Sequence, residues 1–291
     1  MHQAEFITLY EKANKKSYRE LYSEGDPTKW GNVKYKGIIT NQYAGQDLIH
    51  DFFVKPIIKR FAKKTDLVIS DFGGGDGTLL FMLQNQISKN FNLYLESIDL
   101  NKKFVSSFGP TQELQGLIKF IYKDILWTHK PSYADVICNR YVLQYFNKEN
   151  QKKVIDNIHH SLKEEGLALL VWPCSIKSPK IYNKIFAEIV SLIVEQDSNE
   201  VMQHKYFSSL NEIKSYMNNT GFTKIKKIGN EAQVLLSVKS WSNRFDFSAE
   251  SYQGIEDLYE IYSKKHPELF TELRGELCLK TDIIGLSGER K

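Results

Sequence analysis

Cysteine is scarce in this chain of 291 residues: there are three, Cys138, Cys174 and Cys278, widely spaced and odd in number. Such spacing argues against a disulfide framework and against a zinc site, and makes a reducing cytoplasm the simplest compartment. Also missing is any stretch near the ~20 consecutive apolar residues of a membrane helix. The polar N-terminal segment lacks the apolar core of a signal peptide. The expectation is a soluble protein with no membrane partner. No block of one charge stands out either, since 39 basic and 35 acidic residues are interspersed for a net +4. Lys63 and Lys64, Lys102 and Lys103, and Lys224, Lys226 and Lys227 form short groups that suit solvated faces better than a nucleic-acid track. No repeat or low-complexity linker divides the chain, whose length allows a sizeable core. It reads as one domain with additions.

What is present is glycine in one place. In VISDFGGGDGTLL (residues 68–80), a short buried-strand run ends at Asp71, and Gly73, Gly74, Gly75 and Gly77 follow before a helix begins. A turn without Cβ atoms at the carboxyl end of a parallel strand lets a ligand touch the main chain, in the crevice where open α/β sheets bind ligands. The dinucleotide pattern GxGxxG fails here, because Thr78 stands where a third small residue is needed. Asp71 and Asp76 also put negative charge where a pyrophosphate needs donors and positive potential. A nucleoside-like cofactor without phosphate fits better.

The DFGGGDG loop resembles the DxGxGxG loop of class I S-adenosylmethionine-dependent methyltransferases, matching at Asp71, Gly73, Gly75 and Gly77. That resemblance implies a cofactor site in sequence order. Asp99, ending the run LYLESIDL about 20 residues beyond the loop, would hold both ribose hydroxyls, with Leu100 under the adenine. Asp124 and Ile125, after LIKFIY, would contact the adenine amino group and ring. Asn139, in ADVICNRYVLQYF, would line the methionine end. With Gly74 these residues make up the cofactor set, and S-adenosylhomocysteine is the expected product.

The same resemblance implies an α/β fold: a Rossmann-like, seven-stranded, mostly parallel sheet with helices on both faces. Strand and helix alternate accordingly. Val154, Ile155, Ile158 and Leu162 share one face of a helix over residues 150–165, with Asn147 as cap and Gly166 as stop. Residues 167–172 form the fifth strand and residues 208–222 the last helix. Runs around 224–228 and 233–238 would close the sheet as an antiparallel pair. Residues 47–246 are then the core, with a substrate-facing insertion over 173–206. Residues 1–46 would be an aromatic, helical N-terminal lid, and residues 247–291 a C-terminal helical extension, carrying Ile255, Leu258, Tyr259 and Tyr262 on one face.

Methyl transfer from a sulfonium is an in-line displacement, so positioning dominates and no metal is required in principle. A general base is needed only for acceptors protonated at working pH. Plant-type and antibiotic O-methyltransferases carry a catalytic histidine in a sequence like LHDW, where this chain has Gln144. That departure moves weight toward acceptors needing no base, and toward the branch with trans-aconitate and other carboxylate methyltransferases. No residue is assigned as base. Trp30, Gln144, Trp172 and His204 are the substrate-facing candidates, and Tyr43 of the lid would touch the methionine end. Trp172 serves equally well as a core aromatic, His204 as a surface residue, and His50, beside Phe53, Val54 and Ile57, as a core histidine. Ile181, Ile185, Phe186, Ile189, Leu192 and Ile193 form an apolar stripe able to roof an acceptor pocket, pair two copies as a homodimer, or pack on its own core. The expected partner is a small-molecule acceptor. The alternatives are a protein or RNA methyltransferase, aminopropyl transfer on the same sheet, and a non-catalytic S-adenosylmethionine-binding subunit.

Overall fold

The computed structural model describes residues 46–75, 77–100, 117–127, 129–194, 197–242 and 247–291. The first helix, α1, has three joined pieces: Gln46–Ile49, a π-helical His50–Val54, and Lys55–Phe61. Then come β1 (Asp66–Phe72), α2 (Thr78–Ile87), β2 (Asn92–Asp99), β3 (Ile118–Tyr122), β4 (Ala134–Arg140), α3 (Lys148–Ser161) and β5 (Leu162–Cys174). The remainder is α4 (Pro179–Val194), α5 (Ser198–His204), α6 (Leu210–Thr220), β6 (Thr223–Ser237), α7 (Val238–Ser242), α8 (Ala249–Lys265), β7 (Phe270–Leu273) and β8 (Glu276–Glu289).

Among the described residues the strands form one eight-stranded sheet in the order β3-β2-β1-β4-β5-β8-β6, with β7 paired to β8. From β3 to β5 it is parallel. β4 is buried along nearly its whole length, as a parallel strand covered on both faces must be. Alternate residues feed two cores. Val136 and Cys138 face α1, α2, α4 and α8, while Ile137 faces α3 and α6. The wide apolar stripe of α4 therefore packs on its own protein: Ile185, Ile189 and Ile193 are buried in the first core, and Tyr262 of α8 donates to Glu188 at 3.1 Å. Among the described residues no helix is long and apolar enough to cross a membrane.

The α/β class holds, with eight strands rather than seven. The two runs expected to form the closing antiparallel pair are one bulged strand, β6, whose register shifts between Ile228 and Ala232. Its partner is β8, antiparallel to both β5 and β6. Residues 247–291 are thus helical only in their first part. A two-residue turn at Arg274 and Gly275, both at positive φ (54° and 77°), folds β7 back on β8, the geometry favoured by tight hairpins. Two smaller differences follow from local pairing. The helix expected to reach residue 165 stops at Ser161, because Leu162 turns extended and pairs with Ala134. His50 is exposed rather than in the core. The widened π-helical turn rotates the apolar face onto Phe52, Phe53 and Val54, an effect characteristic of a π-bulge.

Phe52 docks α1 on the antiparallel part of the sheet through two glycines. A Cβ on Gly229 of β6 would lie 2.5 Å from its ring, and one on Gly285 of β8 would also run into it, and into Ile228 at 2.8 Å. At the opposite, amino edge of the strands, Asp135 is 2% exposed. It accepts from Val68 N at 2.9 Å, Lys64 Nζ at 2.6 Å and Lys163 Nζ at 2.8 Å. Burial works to raise this carboxyl, but the bonds from Lys163, Lys64 and the Val68 amide outweigh it and hold it below the ordinary aspartate value.

Gly285→Ala should cost about 1–3 kcal/mol by overpacking, and Phe52→Leu in the same chain should recover part of it. Urea denaturation of the two single variants and the double variant checks this coupling. Asp135→Asn should cost about 2 kcal/mol at neutral pH. Because the folded pKa is depressed, that contribution is complete above the unfolded carboxyl's ~4 and is lost as pH falls through the folded value. Denaturation midpoints of wild type and Asp135→Asn should therefore converge below about pH 4.

Candidate functional site

The chain reverses its lateral direction between β1 and β4, and the candidate site lies at the carboxyl ends of those strands, where such sheets bind ligands. Residue by residue, the parallel registers bring the candidates together. Asp71 pairs with Ser97 of β2 and Cys138 of β4, Asp99 ends β2 opposite Tyr122, and Asn139 lies one position beyond Cys138.

The glycine loop is folded back over this edge. Gly73, Gly75 and Gly77 have φ of 80°, 56° and 78°, the left-handed region that glycine enters without Cβ strain. Gly73 N donates to Ile98 O at 2.7 Å and Gly77 N to Gly74 O at 3.0 Å. Gly75 N points at Asp99 and donates to Oδ2 at 2.9 Å. A Cβ on Gly74 would strike Ser97 Oγ and lie 3.0 Å from Asp71 Oδ2; one on Gly73 would lie 2.6 Å from Val142. The loop is therefore pressed against β2 and the segment after β4, leaving main-chain surface for a ligand.

Asp71, Asp99 and Asp124 are 2%, 3% and 8% exposed, and Asn139 is fully buried. Asn139 Nδ2 donates to Phe72 O at 2.7 Å, while its Oδ1 has no hydrogen-bond partner among the described residues. Asp124 Oδ1 accepts from Leu126 N at 2.9 Å, fixing the bend after β3. Ile125 is buried in the second core, and its carbonyl accepts from Asn157 at 2.9 Å. Leu100 is half-buried at the end of β2. A buried acceptor wanting a donor, beside carboxylates and a Cβ-free cradle, suits a polar, phosphate-free nucleoside.

Beyond β4 the backbone is strained. Tyr141 has φ 57°, costly for a bulky side chain, and the turn it makes leads into the 3₁₀ segment Leu143–Tyr145. Gln144 is 7% exposed; its Nε2 donates to Tyr141 O at 2.6 Å, and its Oε1 has no partner among the described residues. Fully buried Gln151 of α3 ties this turn to the chain between α5 and α6. Its Nε2 donates to Leu143 O and Phe146 O, both at 3.0 Å, and to Tyr206 O at 2.6 Å, while its Oε1 accepts from Ser208 Oγ at 2.6 Å. Two hydrogens serve three carbonyls, so one is shared.

Not every substrate-facing candidate joins this edge. Trp172 is 1% exposed, and its indole N–H donates to Ser208 O at 2.8 Å, which makes it a core side chain between β5 and the approach to α6. His204 closes α5, its side chain lying outside the described residues, as do Tyr43 and Trp30. His129 is 5% exposed, its ring centroid 4.7 Å from that of Phe72, and burial assisted by the Lys123 charge pushes it down to about 4. It is neutral at physiological pH.

A residue that sequence reasoning passed over stands beside the 3₁₀ turn. The Lys205 ammonium lies 5.4 Å from the Tyr145 ring centroid and 5.9 Å from that of Phe186, and burial pushes it down to about 8. Phe186 lies within 4.4 Å of Phe207 and 5.2 Å of Trp241, measured between ring centroids. A lone lysine between helices gives no sequence signal. Its neighbour pair of aromatics comes from distant segments.

Residues 47–227 match a family model described as a methyltransferase domain. The carboxy-S-adenosyl-L-methionine synthase of Nautilia profundicola is 29% identical over 134 residues, 46% of this chain and 55% of that protein. The chain thus matches about half the length of that curated relative. Among solved structures, the YcgJ protein of Bacillus subtilis superposes with a TM-score of 0.62 at 18% identity, covering 82% of this chain and 98% of that one. Phosphoethanolamine N-methyltransferase 2 of Haemonchus contortus, in complex with S-adenosyl-L-methionine, superposes at 0.53 and 13% identity, covering 97% of this chain and 60% of that one. At these identities the two structures establish the fold that is shared.

Asp99→Ala should weaken S-adenosylhomocysteine binding about 10- to 100-fold, the range of hydrogen bonds to a charged group at ~1.5–3 kcal/mol. Gly74→Ala, whose methyl displaces the loop from Ser97, should weaken it as well. Calorimetric titration alongside thermal melts distinguishes lost binding from lost folding, and unchanged affinity in Asp99→Ala would remove that carboxylate from the cofactor site.

Proposed function

Because the chain belongs to the methyltransferase-domain family, and is a class I, S-adenosylmethionine-dependent enzyme, we propose that it methylates a small-molecule acceptor that needs no base. The observation carrying this reading is the carboxyl edge of the parallel strands: a Cβ-free loop whose Gly75 amide rests on the Asp99 carboxylate, next to buried Asn139, whose oxygen has no partner among the described residues. These residues fit the cofactor. Asp99 would take the ribose hydroxyls, Asp124 and Ile125 with Leu100 the adenine, and Asp71, Gly73 and Asn139 the amino-acid end, with Tyr43 of the N-terminal segment as a further contact. When bound, the cofactor supplies a methyl carbon on a positively charged sulfur.

The chain's own residues act by placement. Held by these residues, the cofactor would give that methyl group up to an aligned acceptor, the carbon–sulfur electron pair staying on sulfur and S-adenosylhomocysteine being the product. The rate then depends on alignment and on excluding water. Gln144 holds the position discussed above for a histidine, and its amide neither gains nor loses a proton near neutral pH. His129, neutral and packed on Phe72, sits on the far side of β4 from the Phe186 cluster. An acceptor ionised at working pH, such as a carboxylate, needs neither. Apolar surface for a small acceptor would come from Phe186, which is only partly buried against the first core. The interspersed surface charge supports the same reading over a nucleic-acid acceptor.

One second reading has a specific observation behind it. The 29% identity to a carboxy-S-adenosyl-L-methionine synthase over 134 residues favours chemistry on the cofactor itself. One assay separates the two. Purified protein is titrated with S-adenosylmethionine, S-adenosylhomocysteine and NAD, then incubated with S-adenosylmethionine and a panel of small acids under mass-spectrometric detection. The expected result is micromolar binding of both sulfur compounds, none of NAD, and S-adenosylhomocysteine formed with a methylated acid. A heavier derivative of S-adenosylmethionine would establish the second reading, and binding of NAD alone would overturn both.

A further inference from the structure

The two residues that open the glycine loop are held from the β4 side. Phe72 O accepts from Asn139 Nδ2 at 2.7 Å, which fixes the residue just before Gly73. The space where a side chain on Gly73 would begin is already taken: a Cβ built there would lie 2.6 Å from Val142 Cγ2, 2.8 Å from its Cγ1 and 3.2 Å from its Cβ. The isopropyl group of Val142 is therefore seated on the Cα of Gly73. Glycine is required at this position twice, once by its φ of 80° and once by the space that Val142 fills.

What aims Val142 at the loop is the strained residue before it. A left-handed φ of 57° at Tyr141 persists only where the surroundings over-determine it. Here Tyr141 N donates to Val171 O of β5 at 2.8 Å, and Tyr141 O accepts from Gln144 Nε2 at 2.6 Å. Tyr145 N closes the turn on Val142 O at 3.0 Å, and Gln151 of α3 holds the Leu143 and Phe146 carbonyls from behind. Val142 is β-branched and stiff at χ1, so its side chain follows the backbone that this turn fixes. It is half-buried at the margin of the second core, and its truncation opens less of a cavity than that of a fully buried residue.

We propose that Val142 is a positioning residue for the amino-acid end of the cofactor, acting through Gly73, whose main chain it holds beside Asp71 and Asn139. The inference rests on the cofactor assignment made above and deepens it. At its other end the loop has a separate attachment, the Gly75 amide on the Asp99 carboxylate, so loosening Gly73 leaves the ribose side in place. One ligand is thus set from two directions. Its amino-acid part is placed by the strained turn after β4, and its nucleoside part by the end of β2.

The test uses two ligands that share the nucleoside and differ in the amino acid. S-adenosylhomocysteine carries it, whereas methylthioadenosine has only a methyl group on the same sulfur. Calorimetric titration of wild type, Val142→Ala, Val142→Thr and Asp99→Ala with both ligands, each protein also followed by a thermal melt, reads the two affinities apart from folding. Val142→Ala should bind S-adenosylhomocysteine about tenfold more weakly, as the loss of both methyl groups from a packed contact implies. Its affinity for methylthioadenosine should stay within about twofold, the two ends of the loop being separately attached. Val142→Thr keeps the branched shape and should recover most of the loss. Asp99→Ala should weaken both ligands. Equal weakening of both ligands in Val142→Ala, wild-type affinity for S-adenosylhomocysteine in that variant, or no recovery in Val142→Thr would overturn the proposal. Failure of the wild type to bind S-adenosylhomocysteine, or unchanged affinities in Asp99→Ala, would instead overturn the cofactor assignment on which it rests.

Discussion

The insertion of β8 between β5 and β6 is the constraint on which the remaining architecture depends. β5, buried from Gly166 onward, would otherwise end the parallel sheet with an unpaired edge, an arrangement proteins avoid. β8 runs antiparallel along it from Leu167 to Cys174 and offers its other edge to β6. With that edge closed, Gly229 and Gly285 form the floor on which Phe52 sets α1. On the same face, Tyr259 of α8 donates to Leu236 O of β6 at 2.7 Å and accepts from Trp241 at 2.8 Å. Trp241 in turn packs on Phe186. The packing around Phe186 is thus tied, through Trp241 and Tyr259, to β6 and so to the strand that pairs with it.

The cofactor side depends on shorter-range physics. Three strands end together because parallel pairing sets them in register, and the loop after β1 closes because glycine takes the φ values that other residues resist. Gly75 joins the two: its amide lies on Asp99, so the loop conformation and the orientation of the carboxylate are one event. The region after β4 is built differently, from a strained residue at Tyr141, a buried glutamine with its hydrogens divided among three carbonyls, and aromatics from α4 and its neighbours. Such polar knots specify geometry when every partner is present.

Much of this is legible in the sequence. The glycine loop, the strand ends at Asp71, Asp99 and Asn139, the Asn147 cap and the helices over α4 and α8 follow from patterns within a dozen residues. The Asn147 side chain does accept from Asn150 N at 2.9 Å, and Ser209 with Glu212 makes a full capping box before α6. β8 was missed although Cys278, Leu279, Ile283, Ile284 and Leu286 make an apolar, partly β-branched run after a turn. The strong helical periodicity of α8 just before it favoured a continuation. His50 was misplaced because a single widened turn shifts the helical phase by an amount that spacing does not reveal.

The amino-acid order by itself determined the alternation of strands and helices, the position of the glycine loop and which carboxylates and amides meet beside it. Each of these is fixed by φ preferences, caps and apolar periods that act over one or two turns. Tertiary structure alone decided that the final strand completes the sheet from within, that Trp172 is core, and that Lys205 meets Tyr145 and Phe186. Those outcomes compare the burial of whole faces across separations from about 20 residues to, for β5 and β8, more than a hundred, and no local preference carries that comparison.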